Sequence, residues 1–410
     1  LFYQQRESLD PSQVFLITPN PVFQSYIDNV LPDLGERNPE CLTWNEFLQQ
    51  LMPPDRTGGQ VNVALDRLER IDAACAGFAF DPHDFKEVHC NGDRLLSVGQ
   101  ILQVAAKFKN IPAGPHLVSL MRDELAHRLD TRLKQIATSD RILDELSALS
   151  PDEQVALFRE TFDAQDEDEA RVWAQQYVDD RYAAARRAVE NDDWLRIDRI
   201  GMRLLGVENL VPVEWLYLKM ALTGLGNPDA KYVMIDEVQD YTAAQLTVLA
   251  RYFRRAHFLL LGDQNQAISP DTATFDDVKA VFQKARGSVE ECRLMTSYRS
   301  SPAITALFAG LLADEERLRI SSIRRQEEAP AIIECATEEE RDRELVRVIE
   351  AASADEGLTA VILPQKHQAK QLQKRLGDGA PPLIDAEATL PTSGVVLTSL
   401  KLAKGLEFDH

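Results

Sequence analysis

Two acidic clusters, each placed at the end of a short apolar run, mark where this sequence could do chemistry. Tyr232 to Ile235 runs into Asp236 and Glu237; after an amphipathic stretch, Phe258 to Leu261 runs into Gly262, Asp263 and Gln266. An adjacent acidic pair suits Mg²⁺-dependent phosphoryl transfer, because Mg²⁺ is held through one or two carboxylates and completes its shell with water and substrate phosphates. In that chemistry Asp236 holds the ion, Glu237 polarises the attacking water, and Gln266 senses or positions the terminal phosphate. Arg299, in the run SYRS, is the candidate cation, since a positioned arginine contributes about 10³ to 10⁵ to phosphoryl transfer. Lys404, Gly405 and Glu407 follow the last apolar run and could touch a nucleotide or backbone phosphate. Each group also has a plainer reading: a strand end in solvent, a surface ion pair, a strand-to-loop turn. The second strand ending in GDxxQ, at β-α-β spacing from the first, favours the chemical reading of Asp236 and Glu237. His89 and Cys90 lack further ligands at metal spacing and read as structural.

Positioning these groups requires a sheet. Two bounded apolar runs joined by a helical pattern predict a β-α-β unit, and in such sheets reactive groups sit just beyond the carboxyl ends of the strands. Asp236, Glu237, Asp263 and Gln266 are therefore expected in one crevice. Val14 to Thr18 is a further buried strand. Asn20 and Pro21 then cap and open a helix whose apolar face runs from Val22 to Leu31, closed by Gly35. From Met52 to Gly224 strand signals fade and charged helical patterns take over. Ser150, Pro151 and Glu153 form a capping box, and another helix is predicted over Glu169 to Glu190. The acidic run Asp163 to Glu169 reads as a solvated loop or helix end, or as a contact for a basic partner. A second α/β unit follows Ser301, with strands at Ala331 to Glu334, Leu358 to Leu363 and Val395 to Thr398. Helices are expected from the Thr337–Glu340 cap and around Gln368 to Leu376.

The 410 residues suffice for two or three cores, and 44% hydrophobic content is ordinary for a globular chain. No apolar run approaches the roughly 20 residues of a membrane span, and the amino end lacks a signal-peptide pattern. Five cysteines form no CxxC pair, which predicts free thiols and a reducing, cytoplasmic setting. The formal charge of −21 repels phosphate backbones, so nucleic acid could bind only through a local basic groove, and a protein partner is favoured. No GxxxxGK(S/T) occurs, so the cradle that P-loop enzymes use for phosphates is not in the sequence. With Leu1 as its first residue and His410 directly after a motif-like run, the sequence reads as part of a larger protein that is inactive alone.

The runs IDEVQD, GDQNQAI, SYRSS and LTSLKLAKGLEFD, in that order, resemble motifs II, III, IV and V of UvrD/Rep-type superfamily 1 helicases. Within that superfamily the segment FLITPNPVFQSYIDNVLPDLGE, the form DEVQDYT with Tyr241, and LAKGLEFD look most like the HelD family of RNA polymerase-associated ATPases. The resemblance implies an α/β fold of two RecA-like P-loop NTPase-type domains with a helical domain inserted in the first. It divides the chain into residues 1–50 and 226–300 (first RecA-like domain), 51–225 (helical insertion) and 301–410 (second domain, truncated). It implies ATP and Mg²⁺ as cofactors, Asp236 as the Mg²⁺ ligand, Glu237 as catalytic base, and Gln266 and Arg299 approaching the γ-phosphate. Asp263, Lys404, Gly405 and Glu407 would lie near the nucleotide. A monomeric motor that removes or recycles stalled RNA polymerase is the expected function. The alternatives are a DNA helicase on the same fold and an inactive binding scaffold. The P-loop is expected before Leu1 and the motif VI arginine after His410. Where UvrD-type helicases keep a YxWRG run to stack a base, this sequence has SPDTATFDDV; base stacking contributes about 1 to 3 kcal/mol per base, so its loss favours a motor acting on protein.

Overall fold

The structure, a computed structural model, describes residues 9–19, 38–54, 63–161, 167–268, 271–294, 296–297, 300–312, 321–322, 329–353, 357–384, 390–404 and 406–410. In chain order its strands are β1 (Val14–Ile17), β2 (Glu40–Leu42), β3 (Val88–Cys90), β4 (Asp93–Leu96), β5 (Tyr232–Ile235), β6 (His257–Leu260), β7 (Thr296–Ser297), β8 (Ser321–Ser322), β9 (Leu358–Leu363) and β10 (Gly394–Ser399). The fold is mixed α/β, with a four-stranded sheet in the order β2-β1-β5-β6. β5 runs parallel to β1 and to β6, in a register that sets Ile17 beside Ile235 and Ile235 beside Leu260. The three chain segments that follow these strands therefore emerge at one edge.

Two compact units divide the chain: residues 12–17 with 44–281, and residues 1–11, 18–43 and 282–410. The first is built around the helix Pro212–Thr223, in which every residue is buried. Its sequence PVEWLYLKMALT is apolar on all sides, the pattern of a helix enclosed by others. It packs against the helices Leu65–Cys75, Pro115–Ala137, Ile197–Leu205 and Ala243–Tyr252. Pro212 opens the helix, and Gly224 ends it in the left-handed region at φ 74°, where a side chain would be strained. Glu214 is fully buried: Oε2 accepts from the Val211 amide at 3.2 Å, and Oε1 lies 2.5 Å from Arg67 Nε as an ion pair. Ala243–Tyr252 is the crossover that a parallel β5–β6 pair requires. Behind it Phe253 packs tilted against Phe15 of β1, with ring centroids 4.8 Å apart and planes at 46°, a pairing that contributes about 0.5 to 1.5 kcal/mol beyond area burial.

Several local expectations are met to the residue. Ser150 accepts from the Glu153 amide, and the Glu153 carboxylate returns the bond to the Ser150 amide at 2.8 Å, with Pro151 opening the helix. Thr337 caps Glu338–Ala352 through the Glu340 amide. Others are corrected. The helix predicted over Glu169 to Glu190 is two helices, Glu167–Arg181 and Ala183–Glu190, broken at Tyr182. The Tyr182 ring is fully buried and its hydroxyl donates to Asp93 Oδ2 at 2.5 Å, so tertiary contacts hold the break. The hairpin β3–β4 interrupts the region read as purely helical. It turns on Asn91 and Gly92, both at positive φ, the residue pair most suited to a tight hairpin turn. No strand forms at Ala331 to Glu334, where Ile332 is 80% exposed; without a partner strand an apolar run does not make one. β1 stops at Ile17, one residue short of the predicted end, and β6 starts one residue early. Of the acidic run Asp163 to Glu169, Glu167 to Glu169 open the helix Glu167–Arg181; residues 163–166 and the helix expected after Asn20 lie outside the described residues.

In the second unit β9 and β10 pair in parallel from Gly394↔Leu358 to Ser399↔Leu363, around a small core of Leu358, Ile384 and Val396. The helix Lys366–Leu376 packs on both strands. The chain end returns onto β9: the Asp409 amide donates to the Leu358 carbonyl at 2.9 Å, and Asp409 Oδ2 accepts from the Leu358 amide at 2.8 Å. All five cysteines are free. Among the described residues no helix is long and apolar enough to cross a membrane.

Candidate active site

The two acidic clusters meet at the carboxyl edge of the sheet. β5 hands over to Asp236, whose amide still donates to the Ile17 carbonyl at 2.9 Å. The chain then turns: Glu237 sits in the left-handed region at φ 50°, ψ 47°, and starts the short 3₁₀ turn Val238–Asp240. The turn is closed by the Glu237 amide donating to Asp236 Oδ1 at 3.0 Å and the Asp240 amide donating to the Glu237 carbonyl at 2.8 Å. Left-handed backbone costs a non-glycine residue about 1 to 2 kcal/mol. Such strain persists where surrounding contacts impose it, and it concentrates at functional sites.

The contact that imposes it comes from Gln239, a residue the sequence reading passed over. Gln239 is 1% exposed. Its Nε2 donates to Glu237 Oε2 at 2.5 Å, and its Oε1 accepts from the Asp263 amide at 3.1 Å. One amide thus ties the DE turn after β5 to the GD turn after β6. The Val238 amide adds a second tie, to the Leu261 carbonyl at 2.9 Å. Gly262 makes the approach possible: a Cβ there would stand 2.3 Å from Gln239 Oε1 and 2.9 Å from Val238 Cγ1. The sequence signal available was the polar residue two positions beyond Glu237 in an otherwise apolar-flanked turn.

Beyond Gly262, Asp263 caps the 3₁₀ turn Gln264–Gln266 by accepting from the Asn265 amide at 3.0 Å. Its other oxygen accepts from Gln266 Nε2 at 2.9 Å. Gln266 is exposed. Tyr241 follows the DE turn; it is 2% exposed and its hydroxyl has no hydrogen-bond partner among the described residues. Burial holds the phenol well above its usual range, and the negative charges of Asp236, Asp240 and Glu237 push it the same way. It remains a neutral donor beside the carboxylates.

Donor chemistry decides which metal would fit. Among the described residues no three His, Cys, Asp or Glu side chains converge on a metal site, which excludes an all-protein cage there. Asp236 with Glu237 matches the sparser demand of Mg²⁺, one or two carboxylates completed by water and phosphate. His89 is accounted for otherwise, its Nε2 lying 2.8 Å from Glu87 Oε2.

Asp236, Glu237, Asp263 and Gln266 are thus brought together. Lys404 and Glu407 belong to the other compact unit: Lys404 ends the helix Leu400–Ala403 after β10, and Glu407 is exposed. Arg299 and Gly405 lie outside the described residues. In the SPDTATFDDV segment, Asp277 has a structural task. It accepts from the Thr274 hydroxyl at 2.6 Å and amide at 2.9 Å, and its amide donates back to Thr274 Oγ1 at 3.2 Å. These bonds, the hydroxyl first, hold its carboxyl below the usual range. No protein-family model matches the chain, and no curated protein matches it.

Proposed function

We propose that the chain is the core of a Mg²⁺-dependent, ATP-hydrolysing superfamily 1 motor of the HelD kind, with two RecA-like halves, that remodels or recycles bacterial RNA polymerase. The observation that carries the reading is the Gln239 bridge, which holds a DE turn and a GDxxQ turn together at the carboxyl edge of adjacent parallel strands. In this reading Asp236 holds the metal, Glu237 accepts the proton of the attacking water, and Gln266 orients the terminal phosphate. Bound Mg²⁺ would supply charge neutralisation on the phosphates. Gln239 keeps the Glu237 carboxylate directed while both turns are under load. A protein partner is favoured over a DNA strand by the net charge of −21 and by the segment after GDQNQAI, where Asp277 caps a helix in place of a stacking aromatic.

The test is Glu237→Gln in the full-length protein. Turnover should fall by about 10² to 10⁴, the usual contribution of a general base, with ATP affinity kept. Unchanged turnover overturns the catalytic assignment. Retention of the full-length protein on RNA polymerase but not on single-stranded DNA separates the HelD reading from the helicase one; retention on DNA alone hands the case to the helicase.

A further inference from the structure

A concavity lies in the helical part of the first unit, built from residues distinct from the carboxylate site. Its volume is about 480 Å³, within the range of small-molecule sites. Lys86, Arg196, Arg199 and Lys219 line it, with Trp215 and Met202 supplying apolar surface. Lys86, Arg196 and Arg199 are exposed, and among the described residues none has a carboxylate within ion-pairing distance. That is unusual in a chain with 66 acidic against 45 basic residues, where free cations should find partners readily.

Two of the three acidic residues of the lining are already engaged with cations. Asp192 is committed to Arg122, which donates to it through Nε at 2.8 Å and Nη2 at 2.6 Å. Asp193 stands 3.8 Å from Lys219 Nζ, at the far limit of an ion pair. Asp198 lies in the first turn of the helix Ile197–Leu205. Lys219 itself is 7% exposed, with its ammonium 5.3 Å from the centre of the Trp215 ring. Burial pulls its pKa below the usual lysine range against the opposing pull of Asp193 and Asp192, as expected of a buried cation that lacks a full counter-charge. The Trp215 indole N–H is buried without a hydrogen-bond partner among the described residues, a donor left over in the same lining. Ile197–Leu205 opens at this cavity with no side-chain cap on its amino end, so its first-turn amides favour a negative group as well.

We infer that this cavity binds a small oxyanion ligand, a phosphate carried on a flat apolar ring, with Arg196, Arg199 and Lys86 at the oxyanion and the ring against Trp215. Guanidinium groups suit phosphate through paired donors, and an aromatic floor beside them adds selectivity for a ring. The inference does not depend on ATP hydrolysis at Glu237.

Isothermal titration calorimetry of the purified chain with phenyl phosphate, inorganic phosphate and phenol tests it. Phenyl phosphate should bind at one site and at least about tenfold more tightly than phenol. Tighter binding of phenyl phosphate than of inorganic phosphate supports the ring-bearing ligand; equal or weaker binding of phenyl phosphate overturns it. Arg196→Ser with Arg199→Ser, both on the surface, should weaken either ligand at least about tenfold, because the charge-assisted bonds to the oxyanion are lost. Lys219→Met, a substitution of similar shape, should weaken it too, whereas Asp236→Asn should leave binding unchanged. No saturable binding, binding insensitive to the arginine pair, or binding lost in Asp236→Asn overturns the inference.

Discussion

The Gln239 amide donates to Glu237 at 2.5 Å while Glu237 holds a left-handed backbone conformation. The same amide oxygen receives the Asp263 N–H at 3.1 Å. Movement of either turn must therefore move the other or break a buried hydrogen bond.

Replacing Gln239 tests that coupling. Gln239→Leu fills the same space but leaves the Asp263 amide and the Glu237 carboxylate without their partner, at a cost of about 1 to 3 kcal/mol in stability. In the full-length protein kcat should fall about tenfold or more with KM for ATP little changed, the signature of an interaction made in the transition state. A purely structural role would lower the melting temperature and leave kcat of the folded enzyme intact, so the two readouts together decide.

Gly262 should tolerate no side chain. The Cβ of Gly262→Ala would stand 2.3 Å from Gln239 Oε1. Gln239 can yield only by giving up its bonds, and overpacking of this kind costs about 1 to 3 kcal/mol. Thermal unfolding measures the loss; a variant as stable as the parent would show that the two turns are not held as closely as described.

Alkaline pH probes the brace behind the site. Tyr217, on the central helix, donates to Asp72 Oδ2 at 2.6 Å, and Arg251, on the helix between β5 and β6, donates to Asp72 Oδ1 at 2.9 Å. The Arg251 guanidinium also lies 4.5 Å from the Tyr217 ring centre. Burial, then the Asp72 bond, pushes the Tyr217 phenol up to about 12. Because the folded pKa is raised above the unfolded value, the stabilisation is complete below about pH 10 and is lost between about pH 10 and 12. Two units correspond to about 3 kcal/mol. Tyr217→Phe should remove that part of the alkaline destabilisation, seen as a smaller fall in denaturant midpoint from pH 9 to 12 than in the parent.

Features set by near neighbours in the chain were legible in the sequence. Ser150 and Glu153 cap a helix because three residues separate them, and Asp236 and Glu237 end a strand because a run of four apolar residues precedes them. The Asn91–Gly92 turn was equally local and could have been read. Tertiary structure alone decided the rest. Tyr182 breaks a helix that its sequence would continue, because its ring and hydroxyl are held by residues far along the chain. Ile332 and Ile333 look like a strand but have no neighbour to pair with among the described residues. The role of Gln239 is of the same kind. Composition and spacing identify a glutamine in a turn, but only the parallel pairing of β5 with β6 brings the Asp263 amide, 24 residues away in sequence, within reach of its side chain. Hydrogen-bond partners of a buried amide are set by which strands lie side by side, and that is a property of the assembled sheet.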